Sequence, residues 1–133
     1  KVLDYTVMAV PVPHTVPAAG FQIASGDVSL FYTGDTGQGL SDAWEHVAPS
    51  TLLTEVTFGN ENEAWALKVG HLTPRLLEEA LVSFKKERGY LPKVIVTHMN
   101  PPWEVQVKSE LRRLARKLGV EFLVCRADMR VTL

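Results

Sequence analysis

The sequence is short of cysteine, of net charge and of long apolar runs, and each shortage narrows the possible functions. Its single cysteine, Cys125, allows no internal disulfide framework and is compatible with the cytoplasm. Within the apolar run EFLVC that thiol is expected to be buried and inert. A formal net charge of −1 removes the electrostatic case for a nucleic-acid binder, which ordinarily carries clustered Lys and Arg. The one basic stretch, Arg112, Arg113, Arg116 and Lys117, falls on a predicted helix and reads as its solvated face. No apolar run approaches the ~20 residues of a membrane span, and no signal-peptide pattern opens the chain. The chain begins with Lys1 rather than Met, which fits a processed product or an excised piece.

What is present suits one globular domain. The 133 residues are enough for a single core and too few for two comfortable ones. The first third reads as strands and turns. DYTVMAVPV (4–12) is β-branched and apolar until prolines stop the ladder near His14, and FQIASGDVSLFYT (21–33) folds back at Ser25-Gly26-Asp27 as a hairpin. A short helix is expected at about 41–47 with Ser41 or Asp42 as its N-cap, followed by a buried strand TLLTEVTF (51–58). The second half alternates helix and strand. NENEAWALKVG ends a short helix at Gly70, and Thr73, Pro74 and Gly89 bracket a longer one with Leu77, Leu81 and Phe84 on its apolar stripe. KVIVT (93–97) reads as a strand covered on both faces. The next helix carries Val107, Leu111, Leu114 and Leu118 on one side, and EFLVC and MRVTL finish as strands. This order predicts an α/β layered architecture rather than an all-β barrel.

Histidine carries the functional signal. His14, His71 and His98 fall at strand ends or loops rich in glycine, proline and threonine, where a rigid sheet presents functional side chains. His46 sits near a helix C-terminus, where an imidazolium suits the dipole, and reads as structural. Asp35 lies in the glycine-rich turn YTGDTG. Imidazole and carboxylate are the usual ligands of Zn, Mn or Fe, and Gly34 and Gly37 would let backbone and metal come close. An aspartic-protease reading of Asp-Thr-Gly needs a second acid or a homodimer, and the surrounding helices speak against it. Thr36 reads as a cap of its loop, Asn100 as the start of a turn, and Trp44, Trp65 and Trp103 as core or interface fillers.

In order, HTVPAAGF, LFYTGDTG, LLTEVTF, GHLTP and VTHMNP resemble the metallo-β-lactamase superfamily. Within it they are most similar to the phosphodiesterase branch that includes ribonuclease Z and the class II cyclic-nucleotide phosphodiesterases. The resemblance spans about positions 5–115 and implies half of a four-layer αββα sandwich, one mixed β-sheet covered by helices. It implies metal ligation by His14, Asp35 and His98, with Asp35 bridging two ions, and makes His71 the proton donor near the scissile phosphate. Glu55, at the end of its strand, is the expected partner that orients His71.

The sequence departs from the family at its first metal cluster, His-x-His-x-Asp-His. Histidines stand only at 14, 46, 71 and 98, so no two fall within twenty residues. Residues 1–133 therefore read as one domain piece, the C-terminal half of the hydrolase domain. Two divalent ions are expected in the complete domain and weak or no binding in this chain alone. The expected activity is metal-dependent hydrolysis of a small phosphodiester or of RNA, inactive here without the missing half. The alternatives are a non-catalytic α/β module that self-associates through its exposed sheet face, and a hydrolase of the same fold acting on a thioester or lactam. The uncovered face predicts a homo-oligomer or association with the missing half.

Overall fold

A computed structural model describes residues 3–133. Six strands form one sheet in chain order: β1 (Thr6–Val12), β2 (Ala18–Ser25), β3 (Val28–Tyr32), β4 (Thr51–Glu55), β5 (Lys93–Thr97) and β6 (Phe122–Val124). The first three are antiparallel, and Ser25 pairs with Val28 across a two-residue turn at Gly26-Asp27, where the hairpin was expected. From β3 onward each pairing is parallel. A parallel step needs a crossover connection. The crossovers are a 3-10 turn (Leu40–Glu45), then α1 (Glu63–Val69) with α2 (Pro74–Arg88), then α3 (Glu104–Leu118).

Local chemistry sets the helix ends. The Thr73 hydroxyl accepts the Leu76 N–H, Pro74 takes the first helical position, and Gly89 closes α2 in the left-handed conformation. Gly70 and Gly119 end α1 and α3 in the same way. The 3-10 turn differs from expectation: Gly39, rather than Ser41 or Asp42, precedes it, without a side-chain cap.

The core lies between one face of the sheet and the helices. Val10, Val12, Phe31, Leu52, Val94 and Val96 meet Leu76, Leu77, Leu81 and Phe84 of α2, Val107 and Leu111 of α3, and Leu40 and Trp44 of the 3-10 turn. Trp44 is fully buried, donates its indole N–H to the Ala80 carbonyl, and packs edge-on against Phe31 and Phe84. Val94, Ile95 and Val96 are all buried, as the apolar run predicted. The neighbouring face is different. Register places Phe21 opposite Tyr32, and Tyr32 beside Leu53. Val7, Phe21 and Tyr32 remain 41%, 43% and 41% exposed, because the helices above pack on the other side.

Two other expectations fail. MRVTL forms no strand, because β6 is the last strand of the sheet and no strand beyond it pairs with this tail. Cys125 is only half-buried, since it follows β6 at the sheet edge; partial burial still pushes its thiol pKa up, away from the reactive thiolate. No helix among the described residues is long and apolar enough to cross a membrane.

Candidate metal centre

Parallel strands end together, and the loops that follow them meet at the carboxyl edge of the sheet. Glu55, the last residue of β4, is 1% exposed. A buried carboxylate is tolerated only when its lone pairs are occupied, and Glu55 gathers donors from three loops. Oε1 accepts the Thr36 N–H at 3.1 Å and the His71 Nδ1–H at 2.5 Å. Oε2 accepts the Thr57 N–H at 3.2 Å, the Thr57 hydroxyl at 2.7 Å and the Leu72 N–H at 3.1 Å. With so many donors in place, Glu55 organises the loops around it.

Each of the other site residues is held by its own constraint. His14 donates Nδ1–H to the Gly70 carbonyl at 2.8 Å, which leaves Nε2 free. Its loop is tied to the Asp35 turn, because Gly37 N–H and the Thr36 hydroxyl both reach the Pro13 carbonyl. His98 follows β5 with φ 54°, in the left-handed region that a side chain rarely occupies. Its carbonyl lies 3.0 Å from the Thr57 hydroxyl, and its Nδ1 lies 3.3 Å from Asp35 Oδ1. Asp35 and His98 are about half exposed, at 51% and 53% of their side-chain surface. The His14 and His71 rings are 5.2 Å apart, those of His71 and His98 5.6 Å, and Phe58 walls the His71 ring edge-on at 6.0 Å.

Two overlapping donor sets result. One ligand atom each from His14, Asp35 and His71 lies within 4.8 Å of the others, and the same holds for Glu55, His71 and His98. Imidazole nitrogen with carboxylate oxygen is the donor chemistry of Zn, Mn and Fe sites, and at least one imidazole already has its second nitrogen anchored, as metal-binding histidines do. The residues therefore fit a divalent ion.

All five residues singled out from the sequence, His14, Asp35, Glu55, His71 and His98, come together here, while His46 pairs with its neighbour Glu45 and belongs to neither set. Thr57 was missed; the Glu-x-Thr spacing at a strand end was its only signal. Gly37 and Gly70 have a packing role that the sequence alone did not reveal. A Cβ on Gly37 would sit 2.9 Å from the Gly70 carbonyl carbon, and one on Gly70 would sit 3.0 Å from His14 Nδ1. They let two loops touch, so Gly37 serves the packing of one loop backbone on the other. Thr36 is fully buried and ties its loop, Asn100 leads into a 3-10 turn, and Trp103 packs on Phe58 at 5.4 Å. Trp65 is half exposed on α1, with Lys68 over its ring.

No curated protein matches the sequence. Among solved structures the chain is similar to the metallo-beta-lactamase fold protein YhfI from Bacillus subtilis, with 16% identity and a TM-score of 0.76 over 97% of this chain and 49% of that one. It is similar to unliganded yeast PDE1, with 18% identity and a TM-score of 0.77 over 95% of this chain and 45% of that one. The short form of human tRNase Z (ELAC1) gives 17% identity and a TM-score of 0.68 over 99% and 43%. At such identities the likeness is one of fold, and the chain spans less than half the length of each of the three. A family model described as the beta-lactamase superfamily domain matches residues 1–99. The chain thus belongs to the metallo-β-lactamase superfamily, and its single mixed sheet with helices corresponds to about half of that fold.

Proposed function

We propose that this chain supplies the C-terminal half of a metal-dependent hydrolase centre acting on phosphodiester bonds. The observation that carries the reading is that His71 joins two donor sets, one with His14 and Asp35 and one with Glu55 and His98, from loops far apart in the sequence. His14, Asp35 and His98 would hold divalent ions. The ions supply Lewis acidity, which activates water and neutralises charge on the phosphoryl oxygens. Glu55 fixes the His71 ring through Nδ1, which leaves Nε2 as the nitrogen that, when protonated, would give its proton to the departing alkoxide. That oriented histidine is the reason for preferring a phosphodiester over a thioester or lactam, for which the same ligands would serve.

The open sheet face supports the rest of the reading. The three fold neighbours are at least twice as long as the stretch matched here, and Val7, Phe21 and Tyr32 present apolar surface suited to a second sheet. In this reading a further polypeptide segment covers that face and completes the metal ligands, and residues 1–133 alone bind metal weakly. A self-associating, non-catalytic module would use the same face.

The test is alanine substitution of His14, Asp35 and His98, one at a time, in a polypeptide spanning the whole domain. Each variant is expected to lose metal-dependent turnover of bis(p-nitrophenyl) phosphate. Full activity in all three would refute the hydrolase reading.

A further inference from the structure

The basic stretch of α3 does not form a single solvated face. Arg113 and Lys117 turn toward α2 and line a groove with Glu78 and Glu110, where Lys117 pairs with Glu78. Arg112 turns the other way. With Lys108 one helical turn before it, Arg112 flanks a cavity of about 340 Å³ against β6, floored by Leu111, Phe122 and Val124. Cys125 and Arg126 close that cavity on the sheet side.

The same two residues also line a second cavity of about 500 Å³, whose opposite wall includes His98 and Thr97. The pairing of β5 with β6 explains this. Val96 lies beside Val124, and the Cys125 N–H donates to the Val96 carbonyl, so the chain leaving β6 runs past the end of β5 where His98 follows. The two cavities therefore form one surface path from the candidate metal centre, past Arg126, to Arg112 on α3. Lys108 is paired with Glu104, but Arg112 and Arg126 form no ion pair among the described residues. Both arginines are exposed. Two guanidiniums without ion-pair partners, on cavities that share Cys125 and Arg126 and reach His98, suit a ligand with repeated negative charge, since guanidinium binds phosphate in a two-pronged geometry.

We propose that Arg126 and Arg112 form an anion track that binds the phosphates next to the scissile one, so that the substrate is an oligonucleotide chain rather than a cyclic mononucleotide. The track takes its direction from the hydrolase reading of the His98 end, and it places two positive charges together in a chain whose formal net charge is −1. Arg126 holds the nearest flanking phosphate and Arg112 the next, while the apolar floor beneath them accepts the edge of a sugar or base.

The experiment uses the polypeptide spanning the whole domain, with EDTA present so that no turnover occurs. Binding of a fluorescein-labelled hexauridylate is followed by anisotropy across a salt series and compared with binding of a labelled cyclic mononucleotide. The wild type is expected to bind the hexanucleotide more tightly. Arg126→Ala with Arg112→Ala should weaken that binding about tenfold or more. The slope of log K against log salt should become shallower by about 0.7 for each arginine removed. Arg126→Lys with Arg112→Lys, which keeps the charge, should retain most of the salt slope. An alanine variant that matches the wild type in affinity and slope overturns the track, as does equal binding of the cyclic mononucleotide. Binding that follows the arginines in a protein that turns over no phosphodiester with any added metal supports the track and refutes the hydrolase reading.

Discussion

His71 Nδ1 lies 2.5 Å from Oε1 of Glu55, a carboxylate with almost no exposed surface and four further donors already around it. The pair joins the end of β4 to the loop between α1 and α2, and through Thr36 and Thr57 it reaches the Asp35 turn and His98. Replacing Glu55 by Gln would turn an NH₂ group toward groups that are themselves donors. E55Q is expected to lower unfolding free energy by about 2–4 kcal/mol. Urea denaturation checks this, and a midpoint equal to the wild type would show that the carboxylate is not the organiser described.

The left-handed backbone at His98 sets a second expectation. Asn tolerates φ near 54° and a β-branched residue does not. His98→Asn should stay within about 0.5 kcal/mol of the wild type, whereas His98→Val should lose a further ~1–2 kcal/mol. Equal stability of the two variants would mean that the strain is relieved by a shift of the loop.

Gly37 and Gly70 bring two loops into backbone contact, and His14 is anchored on Gly70. Gly37→Ala should push these loops apart, costing about 1–3 kcal/mol and weakening zinc binding together. Zinc affinity measured against a competing chelator would fall with the loss of stability. A destabilised variant that keeps its zinc affinity would separate the contact from the site.

The uncovered sheet face makes a prediction about association. Phe21 and Tyr32 are register neighbours on that face, and both are over two-fifths exposed. The isolated chain should sediment as larger species at high concentration, and Phe21→Glu should shift it toward the monomer. A wild-type chain that stays monomeric would show that this face needs no cover.

The elements read most clearly from the sequence were those whose ends carry their own chemistry. Thr73-Pro74 and Gly89 bracket α2 as expected, and the hairpin turn falls at Gly26-Asp27. His14, Asp35, His71 and His98 were legible because histidine and acid in glycine-rich loops at strand ends are uncommon enough to notice, whereas Glu55 entered only with the family resemblance. Other features depend on partners that no local pattern reveals. MRVTL has the alternation of a strand, yet pairing is a property of two segments, and this one has no neighbour in the sheet. Thr57 looks like an ordinary β-branched strand residue until the fold brings the Glu55 carboxylate and the His98 carbonyl to its hydroxyl. Arg112 and Arg113 are adjacent in sequence and face different grooves, which a count of basic residues cannot show.

The change from antiparallel to parallel pairing at β3 and β4 also divides the chain in time. β1, β2 and β3 join through short turns, so their ladder closes small loops and forms early. β4, β5 and β6 can align only after their crossovers have packed, and Glu55 meets its donors only after that. The centre should therefore be the last part of the molecule to assemble. Pulse-labelled hydrogen exchange during refolding should protect the amides of Phe21–Ile23 before that of Leu72, whose N–H ends on Glu55. Protection of Leu72 first would reverse that order.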